Sequence, residues 1–448
     1  MKKHHILTVL VAACLLLSVL IGCTSGGSGS APRVLARVEY PSRIQYPNDT
    51  EGKDMLELLT IQSDWEEELR SRKQLQYASD GLSNFLRTSI PHVLSTLKGE
   101  NSVYSPLNVW LALAMLAELT DGNSRQQILD TLGSTDLESL RRQANTLWLA
   151  NYCADGVSSC RLASALWLND QISFHQETMD ILAKYYYAEA YQGTMGSAEF
   201  NQALQDWLNV QTGGLLKEQA ATLEMAPETA LALATTIYYK ANWAGGFSES
   251  ATTQDIFYAE DREIVCDFMH QSPDTFYYWA EHFSAIRKGM EDGTSMWFLL
   301  PDEGISVEQL LQEQETMDFM LTGADWENKK ELTVHMSIPK FDISSQLTLN
   351  DSIQQLGITD VFNAAADFSP TTSDTGLAVS KIQHDARVKI DEEGCEAAAY
   401  TVIMVDTTAM EPEELEEIAF DLNRPFLFVI TNLQGLPLFV GTVQQPVS

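Results

Sequence analysis

Residues Glu392-Glu393-Gly394-Cys395-Glu396-Ala397-Ala398-Ala399-Tyr400-Thr401, followed by Val402-Ile403-Met404-Val405 and then Asp406-Thr407-Thr408-Ala409, have the composition of a loop that can become a strand. A glycine precedes a run of small residues and then a run of β-prone ones. Side chains of a strand alternate between its faces. Cys395, Ala397, Ala399, Thr401, Ile403, Val405 and Thr407 are all small or apolar, whereas both charges, Glu396 and Asp406, fall in the offset set. The segment can therefore enter a sheet with one face on a core and no charge buried there. Its chemistry is main-chain hydrogen bonding.

Side-chain chemistry is much less evident. The chain has no G-x-S-x-G elbow, H-E-x-x-H pair, P-loop or dinucleotide fingerprint, so no enzymatic activity is expected. His270, His282 and His335 are scattered without metal-ligand spacing, and neither a metal nor a cofactor is called for. His384 differs, because Ser380-Lys381-Ile382-Gln383-His384-Asp385-Ala386 lies just before a strand that leads into the hinge.

Residues 392–399 resemble, position by position, the reactive-loop hinge of the serpins, Glu-any-Gly-small-Glu-Ala-Ala-Ala. The similarity extends over about residues 75–445: Asn101-Ser102-Val103-Tyr104-Ser105-Pro106-Leu107, Tyr239-Lys240-Ala241-Asn242-Trp243 with Phe247, Ile338-Pro339-Lys340-Phe341, Leu356-Gly357-Ile358-Thr359-Asp360-Val361-Phe362, and Asn423-Arg424-Pro425-Phe426 through Pro437-Leu438-Phe439-Val440-Gly441. The resemblance implies an α+β serpin fold with three β-sheets, about nine helices and an exposed reactive loop near residues 394–420. It also implies inhibition of a serine protease through a covalent acyl complex, followed by insertion of the loop into the central sheet. A monomer is expected.

The resemblance assigns roles to further residues. His384 matches the histidine of the shutter, the hydrogen-bond cluster beneath the point where the sheet parts. Ser105 is retained there, but Asn108 stands where a second serine is usual and Thr235 where an asparagine is usual; the amide could have moved from strand to helix, with Asn108 reaching His384. Trp243 belongs to the breach at the head of the sheet, and Lys340 and Glu392 match two residues that pair there. Counting forward from Glu392 places the attacked bond at Thr408-Ala409. Counting back from Pro425 lands near Glu414, because the stretch Met410–Glu417 is long. The inserted strand has a fixed length and the distal connector does not, which favours the forward count. Residues Cys395 to Thr408 at roughly 3.3 Å each span about 46 Å, enough to carry a linked protease from one pole to the other. A small uncharged Thr408 suits the shallow apolar pocket of elastase-like or subtilisin-like proteases; Asp406 and Met410 are the alternatives if the register slips. Cysteine proteases as further targets, and a non-inhibitory serpin acting as a surface binding protein, remain open. Proline-bearing hinges mark the latter class, and no proline stands between Cys395 and Val405.

The remaining chain must carry and position this loop. Lys2 and Lys3 precede an apolar run from Ile6 to Ile21, so residues 1–22 read as a signal peptide. Leu20-Ile21-Gly22-Cys23 resembles the bacterial lipoprotein box, which implies lipidation at Cys23 and anchorage on the outer face of the cell membrane. Residues 23–74 form a tether and extension, flexible through Thr24–Ser30, with a possible helix around Met55 to Arg70. The resemblance makes residues 75–448 the expected serpin domain, a single body without a second shift in composition. With 28 Lys and Arg against 62 Asp and Glu and no basic stripe, a nucleic-acid partner is not expected. Cys153, Cys160, Cys266 and Cys395 are too few for a disulfide scaffold. Cys153 and Cys160 flank a turn-like loop that could close a small bridge, and the sequence leaves that open.

Overall fold

The computed structural model describes residues 31–46, 54–95, 99–395 and 415–446. Cys23, Glu396, Ala397, Ala398, Ala399, Thr408 and Ala409 lie outside the described residues.

The central sheet holds β1 (Arg33–Ala36), β3 (Cys153–Ala154), β4 (Ser158–Asn169), β5 (Ala188–Gly193), β6 (Leu231–Asn242), β13 (Phe341–Thr348), β14 (Gln383–Ile390) and β15 (Gly394–Cys395), in the order β1-β5-β4-β6-β15-β14-β13 with β3 paired to β4. The second sheet comprises β2 (Ser102–Tyr104), β7 (Thr253–Tyr258), β8 (Glu263–Gln271), β9 (Asp274–Trp279), β10 (Phe283–Gly289), β11 (Ser295–Pro301), β12 (Lys329–Pro339), β16 (Glu417–Asp421), β17 (Phe426–Thr431) and β18 (Pro437–Val443). The expected second and third sheets are continuous here, because β12 pairs with β9 through Lys329–Thr333 and with β8 through Met336–Pro339.

Eleven α-helices are described: α1 (Met55–Lys73), α2 (Asp80–Leu94), α3 (Pro106–Leu119), α4 (Gly122–Leu132), α5 (Leu137–Asn151), α6 (Gln176–Tyr186), α7 (Ala198–Gln211), α8 (Lys217–Ala220), α9 (Val307–Gln312), α10 (Gln314–Thr322) and α11 (Asn350–Gln355). Two of them place the site. α3 begins with Pro106 at its first turn, which suits a residue without an N–H, and it is buried on nearly every side, as its almost wholly apolar sequence requires. α7 is amphipathic and lays Phe200, Leu204 and Trp207 over Ala163, Ala165 and Trp167 of β4 and Ala232 and Ala234 of β6. The odd-numbered Leu231, Leu233 and Ile237 of β6 pack instead on the main core. The two faces of β6 thus meet different layers, as period-2 alternation dictates.

The N-terminal extension is docked on this body. β1 adds an antiparallel strand to the outer edge of β5. Tyr40 stacks on Trp148 and Tyr152 at centroid distances of 5.6 and 5.4 Å. α1 is capped by Asp54, whose carboxylate accepts from the Glu57 N–H, and its Trp65 Nε1 donates to Asp155 Oδ2 at 2.8 Å. Cys153 and Cys160 face each other across β3 and β4, but both thiols are free, and the Cys153 thiol donates to Asp155.

Candidate functional site, an open slot in the central sheet

β6 and β14 are the two long strands at the middle of the central sheet, and what joins them is β15, two residues long. β14 ends at Ile390 and the chain turns back at once. The Asp391 N–H donates to the Gly394 carbonyl, and Asp391 Oδ1 accepts from the Glu393 and Gly394 N–H groups. Cys395 then pairs antiparallel with Ile390 on one side and Ala241 on the other. Below that point no described strand joins β6 to β14, over roughly 30 Å at the usual rise per residue.

Gly394 is needed here for close approach. A Cβ on it would sit 2.3 Å from the Ala241 carbonyl oxygen, so any other residue would push β15 off β6. The next turn of backbone is fixed from the β6 side, where the Trp243 N–H donates to Glu393 O, Trp243 Nε1 to Asp391 O, and the Phe247 N–H to Glu392 O. Glu392 is pinned as well, with Lys340 Nζ 2.9 Å from Oε2 and Thr252 Oγ1 donating to Oε1 at 2.7 Å. Burial by itself would raise the Glu392 carboxyl, yet the bonds from Lys340 and Thr252 outweigh it and hold the group below its usual range.

Lower in the slot lies a second polar group. His384 on β14 is fully enclosed; its Nε2 accepts from the Ser105 N–H at 3.0 Å, and its ring meets Tyr104 edge to face at 5.5 Å. Burial lowers its pKa from 6.5 to about 4, so it is neutral and carries its proton on Nδ1. Ser105 Oγ donates to the Leu438 carbonyl at 2.7 Å. Asn108, on the first turn of α3, donates from Nδ2 to the Thr235 carbonyl of β6 at 3.3 Å. The amide therefore goes to β6 and not to His384, because that turn of α3 lies against β6 while the Ser105 N–H already holds the imidazole.

The structure thus brings together Ser105, Asn108, Thr235 and His384 at mid-slot and Trp243, Lys340, Glu392, Glu393, Gly394 and Cys395 at its head. Sequence reasoning missed Lys288, whose ammonium donates to the Gly245 carbonyl and Gln271 Oε1 and lies 4.6 Å from the Phe247 ring centre. Its signal was its period-2 phase with buried Ile286 on β10. Desolvation lowers its pKa to about 8. Thr252 had no sequence signal, being one polar residue in the polar stretch Thr252-Thr253-Gln254-Asp255. Among the described residues no group of acidic, His or Cys side chains is arranged to hold a metal, and no helix is long and apolar enough to cross a membrane.

The family profile described as Serpin (serine protease inhibitor) matches residues 83–446, most of the chain and all of the strands that frame this site. The chain is a serpin. It is 30% identical to the kallistatin of Pongo abelii over 371 residues, covering 79% of this chain and 84% of that protein. It is also 30% identical to the human leukocyte elastase inhibitor over 365 residues, 77% of this chain and 93% of that one. Among solved structures, the thermophilic serpin tengpin in its native state superposes with a TM-score of 0.74 at 22% identity, covering 93% of this chain and all of tengpin. Glycosylated human kallistatin gives 0.71 at 26% identity, covering 83% of this chain and 98% of that one. Serpins pair with target proteases and are for the most part inhibitors, often secreted; thyroxine-binding globulin, solved with thyroxine, gives a TM-score of 0.69 and shows that the fold also carries ligands.

Proposed function

We propose that this serpin is an inhibitory one, which traps a serine protease by accepting acylation at Thr408 and inserting its loop between β6 and β14. The observation that carries this reading is the pairing of β15 with both of those strands, the first rung of a ladder that continues no further among the described residues. Extending the register of β15 downward sets Ala397 between Tyr239 and Val388, Ala399 between Ile237 and Ala386, Thr401 between Thr235 and His384, Ile403 beside Leu233 and Val405 beside Leu231. Every one of these loop residues meets the main-core face. Glu396 falls beside Lys240 on the other face, which offers its carboxylate a cation.

The chemistry requires no cofactor. The protease's serine hydroxyl attacks the Thr408 carbonyl, the Thr408–Ala409 amide breaks, and Ala409 leaves as a free amine with the proton passed by the protease's own base. The ester that remains is carried down the slot as main-chain hydrogen bonds and apolar contacts form, and this free energy distorts the protease before water can complete hydrolysis. The target class is an elastase-like or subtilisin-like enzyme, since Thr408 offers a small uncharged side chain. A signal over residues 1–22, lipidation at Cys23 and the 23–74 tether would hold the inhibitor at the outer face of the cell membrane, as a monomer.

Incubation with an elastase-type protease tests the reading. The expected product is an SDS-stable complex, with release of a C-terminal fragment that begins at Ala409 by mass spectrometry. Cleavage without a stable complex would make the protein a substrate and overturn inhibition. A stable complex whose fragment begins beyond Met410 would retain inhibition and overturn the assigned bond.

A further inference from the structure

The hairpin of β3 and β4 carries two thiols that the slot does not use. Cys153 stands directly opposite Cys160 in this antiparallel pair. Residues so placed lie about 4.5–5.5 Å apart at Cα, inside the range over which a disulfide closes without backbone movement. Both side chains are buried, at 3% and 5% exposure, and both are thiols in the structure. Burial pushes the Cys153 thiol up to about 12 and raises that of Cys160 as well, so next to no thiolate is present at neutral pH while the pair stays covered. The cover is the N-terminal extension. Among the described residues β3 pairs only with β4, and the extension runs along its other edge. There Arg43 Nε donates to the Tyr152 carbonyl at 3.0 Å, Gln45 Nε2 to the Ala154 carbonyl at 2.9 Å and the Tyr46 N–H to the Asp155 carbonyl at 2.8 Å. α1 closes over the turn. Trp65 Nε1 and Cys153 Sγ donate to the same oxygen, Asp155 Oδ2, at 2.8 and 3.2 Å, and the buried Arg72 lies beside both thiols.

We propose that Cys153 and Cys160 are an oxidation site guarded by the docked extension: when Tyr46 and α1 lift from the hairpin, a disulfide oxidant converts the pair to an intrachain disulfide. One thiol loses its proton to solvent, its sulfur attacks the S–S bond of the oxidant, and half of the oxidant leaves as a thiolate that takes up a proton. The second cysteine, likewise deprotonated, attacks the mixed disulfide at the protein sulfur and expels the other half. Two protons and two electrons thus pass from the pair to the oxidant, whose S–S bond becomes two thiols. Lifting the extension acts twice over. It makes the sulfurs reachable, and rehydration returns the thiols toward the ordinary value of about 8.5, which restores the attacking thiolate. The closed bridge ties the two strands across the turn Asp155–Ser158, the part of the body on which Trp65 and Tyr46 dock. Cys266 and Cys395 lie outside this chemistry, since Cys266 stands opposite Asp255, and Cys395 opposite Ile390 and Ala241.

The test uses the full chain, reduced, freed of reductant and incubated at neutral pH with oxidised glutathione. Samples taken over time are alkylated with iodoacetamide and digested with trypsin, which leaves both cysteines in one peptide, residues 143–161. The expected product is that peptide two hydrogens lighter and without alkylation. It should form slowly in the wild type and roughly 10- to 100-fold faster in Trp65→Ala, which removes a hydrogen bond to a carboxylate. Trp65→Phe, which keeps an aromatic ring and loses the N–H, gives the same direction if Ala disturbs the packing of α1, and the wild type in concentrated urea gives the unguarded rate. Cys153→Ser and Cys160→Ser are expected to stop at a glutathione adduct on the remaining cysteine. A glutathione adduct that persists in the wild type, or full alkylation of the wild type and of both Trp65 variants, would overturn the pair. Closure at one rate in the wild type and in both Trp65 variants would overturn the guard.

Discussion

Replacing Ala399 with arginine tests the inserted-strand register most directly. Ala399 would come to rest between Ile237 and Ala386, on the face that packs against the main core, and Ala386 is only 3% exposed. The strand neighbours Ile237 and Ala386 are apolar and offer no anion. An arginine there is a buried charge without a partner, which costs about 3–5 kcal/mol. At about 1.4 kcal/mol per factor of ten, insertion slows by roughly 10² to 4 × 10³. Deacylation is not slowed, so the acyl-enzyme hydrolyses and the inhibitor becomes a substrate. The assay is a titration of active elastase-type protease with the wild type, Ala399→Arg and Ala399→Val, read as stoichiometry of inhibition and as SDS-stable complex. Ala399→Val, apolar and β-branched, should behave as the wild type does. Unchanged stoichiometry for Ala399→Arg would refute the placement of Ala399 on the core face, and with it the register taken from Cys395.

Three further outcomes are expected. Gly394→Ala should expel β15 from the head of the slot, because its Cβ meets the Ala241 carbonyl at 2.3 Å; a loss of about 1–3 kcal/mol in urea unfolding would show it, and wild-type stability would mean the hinge does not rest against β6. His384 takes up a proton in the unfolded chain below pH 6.5 but in the folded protein only near 4. Its contribution to stability is thus complete above pH 6.5, falls by up to about 3 kcal/mol as the pH drops to about 4, and is flat below that; the difference between wild type and His384→Gln in urea melts across this window measures it, and a parallel pair of curves would show that the imidazole is not buried neutral. Cys23→Ala should release the protein from the cell envelope or leave an uncleaved precursor; unchanged fractionation with normal processing would exclude lipidation.

Several features of this serpin were legible in the residues alone. The alternation from Cys395 to Thr407 is local and has period 2, so it specifies which face of the loop can be buried without any knowledge of the sheet that receives it. The hinge glutamates, the pair Lys340 and Glu392, and the role of His384 came instead from the resemblance to the serpins, whose motifs these residues match. A possible helix around Met55 to Arg70 was expected, and the structure carries it to Lys73; the docking of Tyr40 on Trp148 and Tyr152 or of Trp65 on Asp155 was not, since it depends on two distant elements meeting.

Tertiary structure decided the partners. Asn108 could in principle have reached His384 or β6, and only the packing of α3 against the sheet selects the Thr235 carbonyl. Gly394 reads in sequence as a flexible hinge, whereas its role is steric and is set by a carbonyl on Ala241, far away along the chain. Lys288 and Thr252 carry no signal specific enough to link them with the hinge, since a hydrogen bond across the fold leaves no spacing in the chain. Local sequence dictates periodicity and turn chemistry because these act over a few residues; which donor meets which acceptor across the slot follows from strand register and helix packing, and these exist only once the chain has folded.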